Sequence, residues 1–145
     1  MSRYEELADW SDWVPFVQAA LADAPRTAGV YVIGVSDSPV YVGRAAERRG
    51  KGMAERLRVY LSGKGAVSGF GEAAFDRALA DDDWVRGRLD LAARQGPERA
   101  KAWAAAAVLR LPFQVRWAAC SQGAQAVVLE RQVIDLLRSQ LWNRR

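Results

Sequence analysis

The chain has no histidine and only one cysteine, Cys120, among its 145 residues. Without an imidazole there is no His-activated serine or cysteine nucleophile, no His-ligated metal and no histidine base. With one cysteine there is no internal disulfide and no multi-cysteine zinc site. Cys120 closes an alternating stretch that begins at Phe113, and it is expected to be a small packed side chain. Acid–base chemistry then falls to Tyr, Lys, Asp or Glu, or to metal-bound water. A metal bound here is expected to be a hard, oxygen-liganded cation, Mg2+ or Mn2+. Long apolar runs are also missing, none reaching the roughly 18 residues of a membrane span. The opening Met1-Ser2-Arg3-Tyr4-Glu5-Glu6 lacks a signal-peptide layout. A soluble, cytoplasmic protein with no membrane partner is the expectation.

Half the residues are hydrophobic and 26% charged, an ordinary globular balance for one domain. The net charge of +4 is unevenly placed. Between Arg44 and Lys64 stand seven cations (Arg44, Arg48, Arg49, Lys51, Arg56, Arg58 and Lys64) against two anions, Glu47 and Glu55. A local cationic cluster of this kind suits a polyphosphate partner, although a solvated basic helix face gives the same count.

Residues 3–24 read as a helical arm in two short pieces, with Pro15 in the first turn of the second. Two runs rich in β-branched and aromatic residues, Gly29 to Val35 and Val40 to Gly43, flank the turn Ser36-Asp37-Ser38-Pro39 and form a β-hairpin. A basic loop leads to a helix over Met53–Leu61, which Ser62-Gly63-Lys64-Gly65 terminates. That tetrapeptide lacks the glycine-to-lysine spacing of a phosphate loop. Residues 71–95 read as helical, with Phe75, Leu79, Trp84, Leu89 and Leu91 as buried candidates. An alanine-dominated helix follows over 98–110, then a third strand over 113–120 and a last helix over 124–142. The class is α+β: a small sheet flanked by helices, with the arm over 1–26, core segments at 27–61 and 112–145, and a helical insertion over 62–111.

Glu130 is the anomaly. At about 100° per residue, Ala126, Val127, Val133, Ile134, Leu137 and Leu141 all fall within about 60° of it, which puts Glu130 at the centre of the apolar stripe of the last helix. An unpaired carboxylate in an apolar stripe costs several kcal/mol. Either an arginine pairs with it, or it is held in a cleft as a metal ligand or acid–base group. Arg56 and Tyr60, four apart, share a helix face, from which Arg56 can grip phosphate bidentately. Tyr31 and Tyr41 lie on paired strands, where cross-strand aromatics are common.

Gly29-Val30-Tyr31 and, nine residues on, Tyr41-Val42-Gly43 closely resemble the two tripeptides that name the GIY-YIG nucleases. Arg44-Ala45 stands where the excision-repair branch has Lys-Ala. Arg56 with Tyr60 resembles the catalytic arginine helix, Glu130 the metal-binding glutamate and Asn143 the terminal asparagine of that family. The resemblance covers roughly residues 27–61 and 112–143. It implies a three-stranded antiparallel sheet and a Mg2+- or Mn2+-dependent endonuclease that hydrolyses phosphodiester bonds, DNA before RNA. It also implies Glu130 as metal ligand, Tyr31 as base, Tyr41 and Tyr60 as positioning groups, and Arg56 on the phosphate. Arg44, Arg48, Arg49, Lys51, Arg58, Lys64 and Asn143 are expected to contact nucleic acid, Asn143 by pinning the C-terminal turn or touching the backbone. Single-site chemistry cuts one strand, so a double-strand break needs a homodimer or two visits. The insertion leaves three roles open: reading DNA, dimerising, or binding an inhibitor or immunity protein. A nucleic-acid-binding module with the same fold and no turnover is the alternative.

Overall fold

The computed structural model describes residues 3–46 and 52–144. In chain order the elements are β1 (Val14–Pro15), β2 (Gly29–Val35), β3 (Ser38–Ala45), α1 (Gly52–Leu61), α2 (Gly69–Leu79), α3 (Asp82–Gln95), α4 (Ala100–Val108), β4 (Phe113–Ala119) and α5 (Gly123–Leu137). Short 3-10 turns occupy Arg3–Glu6, Gln18–Asp23 and Arg138–Gln140. The elements form two compact units, Met1–Arg58 with Pro112–Arg145, and Val59–Leu111. No helix among the described residues is long and apolar enough to cross a membrane.

The first unit is built on one antiparallel sheet of order β1-β4-β2-β3. The α+β class is as expected, but the sheet has four strands rather than three. The extra strand comes from the arm, which is not helical at Pro15: Val14 and Pro15 pair with Val115 and Gln114. A proline lacks an N–H and is tolerated on an outer strand, where no ladder bond is asked of it. The rest of the arm follows β4, with Ser11 N–H donating to the Trp117 carbonyl and Phe16 N–H to that of Phe113.

Strands β2 and β3 meet in a two-residue turn in which Ser36 and Asp37 both have positive φ, 52° and 65°, the primed geometry that matches strand twist. Asp37 N–H also donates to the Gln114 side chain. Strand β2 is central and buried along six of its seven residues. That is why it reads as a nearly unbroken hydrophobic run rather than an alternating one. On one face, Val30, Val32 and Val42 join Ala126, Leu129, Val133 and Leu137 of α5 in a single apolar cluster. On the other, the Met53 side chain at the start of α1 lies against Gly29, where a Cβ would collide with it.

The second unit is helical. Phe70, Ala73, Ala74 and Ala78 of α2 and Ala104, Ala107 and Val108 of α4 are among its buried residues, most of them small side chains that let helices approach closely. Gly63, at φ 83°, follows the end of α1, and its Cα lies against the Lys101 carbonyl. The stretch expected to be helical over 71–95 is two helices, because Asp81 caps a new one, accepting from Trp84 N–H. Of the expected buried candidates, Leu79 and Leu89 are exposed, at 52% and 56%, and α3 buries no residue fully. Alanines fill much of the interior instead, around Tyr60, Phe70 and Val108.

Candidate functional site

Helix α5 positions Glu130. Its buried stripe runs Ala126, Leu129, Val133, Leu137, the i, i+3, i+7, i+11 pattern of a helix lying on a sheet. Glu130 therefore sits on the shoulder of that stripe and not at its centre, which Leu129 helps to form. The shoulder faces a cleft of about 230 Å³ lined by Arg44, Val127, Glu130, Arg131, Ile134, Asp135, Arg138, Leu141, Asn143 and Arg144. Four arginines thus surround two carboxylates, beside three apolar side chains. Glu130 keeps only 12% of its side-chain exposure, and its Oε1 accepts from Nη1 of Arg44 at 2.8 Å. Arg44 itself is 45% exposed. Asp135 pairs with Arg138 at 2.7 Å.

Arg44 reaches this cleft because of strand alternation. It is in step with Val42, which packs toward α5. Tyr31, Tyr41 and Gly43 are out of step and turn to the opposite face. The register sets Tyr31 opposite Gly43 and Tyr41 opposite Ile33, so the two tyrosines are diagonal neighbours. Their rings stack at 6.5 Å and 22°. A Cβ on Gly43 would overlap the Tyr31 ring and hydroxyl. The absence of a side chain there is what lets the phenol lie across β3.

The residues expected to form one site are therefore distributed around an outer strand. Glu130, Arg44 and Asn143 line the cleft, whereas Tyr31 and Tyr41 lie on the other face of the sheet. Gly43 and Arg44 are consecutive, so the Tyr31 phenol lies over the β3 position next to the one that carries the Arg44–Glu130 pair. Arg56 is half-buried on α1, and Arg58 is half-buried at the end of the first unit. Tyr60 and Lys64 belong to the second unit. The Tyr60 ring is buried edge-on against Phe70 at 5.8 Å, and Lys64 is exposed. Arg48, Arg49 and Lys51 lie outside the described residues.

Asn143 has a defined partner. Its amide donates to the Val42 carbonyl at 2.7 Å and accepts from the Val42 N–H at 3.1 Å. With Trp142 N–H on the Val40 carbonyl and Gln140 on that of Pro39, it binds the C-terminal segment along the free edge of β3. The side-chain amide is spent on backbone, which answers the edge-strand liability rather than offering a hand to a ligand.

No family model, curated protein or solved structure matches the chain.

Three basic residues of the cleft, Arg131, Arg138 and Arg144, were not foreseen. The charge count was drawn to residues 44–64, and a helix's basic residues look solvated until the fold shows what they flank. Arg131 on α5 and Arg138 in the turn that follows it stand one and eight positions after Glu130, and that spacing is the signal the sequence offers.

Among the described residues no three of His, Cys, Asp and Glu gather as a metal cluster. Glu130 nevertheless offers a carboxylate whose Oε1 is taken by Arg44 and whose Oε2 has no hydrogen bond among the described residues. Mg2+ is commonly held by one or two carboxylates and completed by water and substrate phosphate. The donor set fits a cation of that kind only together with anions that offset the surrounding arginines.

Proposed function

We infer that this protein is a metal-dependent endonuclease of GIY-YIG type, hydrolysing phosphodiester bonds of nucleic acid, DNA in preference to RNA. The observation that carries the reading is Glu130: a mostly buried carboxylate on the wall of an arginine-lined cleft, beside the strand position over which Tyr31 lies. Arginines recognise phosphate oxygens through their planar fork, and a cleft in which four arginines outnumber two carboxylates attracts a polyanion.

In this reading Arg44, Arg131, Arg138 and Arg144 draw the nucleic-acid backbone to the cleft. Arg56 holds a non-bridging oxygen and offsets the charge that builds as phosphorus becomes five-coordinate. Tyr31 accepts the proton of the attacking water, and Tyr41, stacked on it, fixes the phenol's orientation. Mg2+ or Mn2+ held by Glu130 would supply charge neutralisation at the scissile phosphate and the leaving oxygen.

The second reading, a nucleic-acid-binding module without turnover, is favoured by one observation: the Arg44–Glu130 pair satisfies the carboxylate without any metal. Incubation of the full chain with supercoiled plasmid, linear DNA and RNA in Mg2+, Mn2+ or a chelator separates the two. The nuclease reading expects nicking that needs the metal and is lost in Glu130→Ala. Salt-dependent binding with no cleavage under any of these conditions would establish the module instead.

A further inference from the structure

The cleft presents a conflict of charge. Its carboxylate already has a cation on it, and three more guanidinium groups stand around the same space. A divalent cation approaching the free protein meets net positive surroundings and a carboxylate with one oxygen already engaged. The two partners also differ in freedom. Glu130 is 12% exposed and fixed on α5 by the core stripe beside it, whereas Arg44 is 45% exposed at the end of an outer strand. Arg44 can leave the carboxylate without opening the core; Glu130 cannot follow it.

We propose that Arg44 is a phosphate-operated gate on Glu130. In the free protein its guanidinium holds one oxygen of the carboxylate and sets a positive charge against any divalent cation that approaches the other. A nucleic-acid phosphate entering the arginine-lined cleft takes Arg44 as its own partner, freeing Glu130, while its negative charge makes the cleft tolerable to a cation. This deepens the nuclease reading and rests on it: backbone binding comes first and metal loading second, so the metal centre is assembled only on substrate. Linkage requires the converse, that the cation tighten nucleic-acid binding by the same factor.

The test is Mn2+ binding to the full chain without nucleic acid, followed by electron paramagnetic resonance of the free ion, with thermal melts to verify folding. Arg44→Gln is expected to bind Mn2+ at least about tenfold more tightly than the unaltered chain, the factor that corresponds to one lost competing contact of about 1.4 kcal/mol. Arg44→Lys, which keeps a cation in reach of Glu130, is expected to restore much of the block. Arg44→Gln combined with Glu130→Gln is expected to abolish the gain. Arg138→Gln removes an equal charge from the same cleft without touching Glu130, and is expected to raise affinity by clearly less than Arg44→Gln. In the reciprocal measurement, Ca2+ is expected to tighten binding of a short labelled DNA duplex to the unaltered chain by about tenfold, and much less in Arg44→Gln.

An Arg44→Gln chain that binds Mn2+ no more tightly than the unaltered one overturns the gate. So does an Arg138→Gln gain of equal size, which would reduce the effect to general charge. If either occurs while the unaltered chain cuts DNA in Mg2+ and Glu130→Ala does not, the nuclease reading stands without the gate. If Arg44→Gln gains Mn2+ at Glu130 and the unaltered chain cuts no nucleic acid, the gate stands and the nuclease reading falls.

Discussion

The two units use the same chemistry, arginine paired with carboxylate, to opposite ends. In the sheet unit the interior is apolar and continuous: Val30, Val32, Val42, Leu129 and Val133 bury themselves without polar help, and the Arg44–Glu130 pair stands in a cleft to one side. In the helical unit, α3 buries no residue fully. It is fastened by Arg110 on Asp81 at 3.0 Å, by Arg88 on Glu98, and by Arg88 lying over Trp84 and Trp103, whose rings meet edge-on at 5.9 Å. An ion pair fastens an element where apolar area is short, as Arg116 on Glu5 also does for the arm of the sheet unit, and stands at the margin where the core is already complete. The difference warns against reading function from a pair alone.

The largest effect that could break this comparison is at Glu130. Glu130→Ala is expected to abolish metal-dependent cleavage while leaving the melting temperature and DNA binding close to those of the unaltered chain, because the stripe beneath it is intact. Loss of folding in that variant, seen by circular dichroism, would put the pair among the structural ones.

Tyr31→Phe is the next test. The ring and its stack on Tyr41 survive, and only the hydroxyl over Gly43 is removed. Turnover is expected to fall about 10²-fold or more, within the range for loss of a general base, with stability little altered. A near-normal rate would leave Tyr31 a packing residue and move the proton to another acceptor.

Two leucines test the contrast in packing. Leu129→Ala, in the apolar cluster of the sheet unit, is expected to cost about 2–5 kcal/mol in chemical denaturation. Leu89→Ala, on the exposed side of α3, is expected to change stability by no more than about 0.5 kcal/mol. Comparable losses would mean that the helical unit relies on apolar burial after all.

The smallest effect is a pH dependence in the helical unit. Trp84 N–H donating to Asp81, with the Arg110 guanidinium beside it, holds that carboxyl below the usual aspartate value of 3.8. The folded value being lower than the unfolded one, the stability it adds is complete above about 3.8 and is lost as pH falls through the folded value. Asp81→Asn keeps the capping acceptor and removes the titration. Melting curves of the two proteins are therefore expected to converge as the pH is lowered from about 5 toward 3. A constant gap over that range would show that the charge on Asp81 adds nothing.

Much of this was readable in advance where residue chemistry acts locally. The β-branched run from Val30 to Val35 could be little else than strand. Ser62-Gly63 ends α1 because glycine tolerates the left-handed φ of 83° found there. Asp81 opening a second helix within 71–95 was equally local and was missed, because periodicity was followed across a cap. The fixed φ of Pro15 suits a helix start, but an outer strand accommodates it as well. Leu79 and Leu89 were assigned to the interior on hydrophobicity alone, which predicts a tendency and not a location.

The sequence by itself determined that any acid–base chemistry must run without histidine. It also marked Glu130 as a carboxylate on the apolar side of its helix, and it set two tyrosines on one hairpin. What tertiary structure decided is which groups meet. Alternation along β3 sends Arg44 to the α5 side and Tyr41 to the other, where alternation along β2 also sends Tyr31. Neither side can be chosen until strand order and helix packing declare which face is covered. The arginine that meets Glu130 lies 86 positions away in the chain. No periodicity or spacing spans that distance, because the contact is made by two elements laid side by side through burial of the valines and leucines between them.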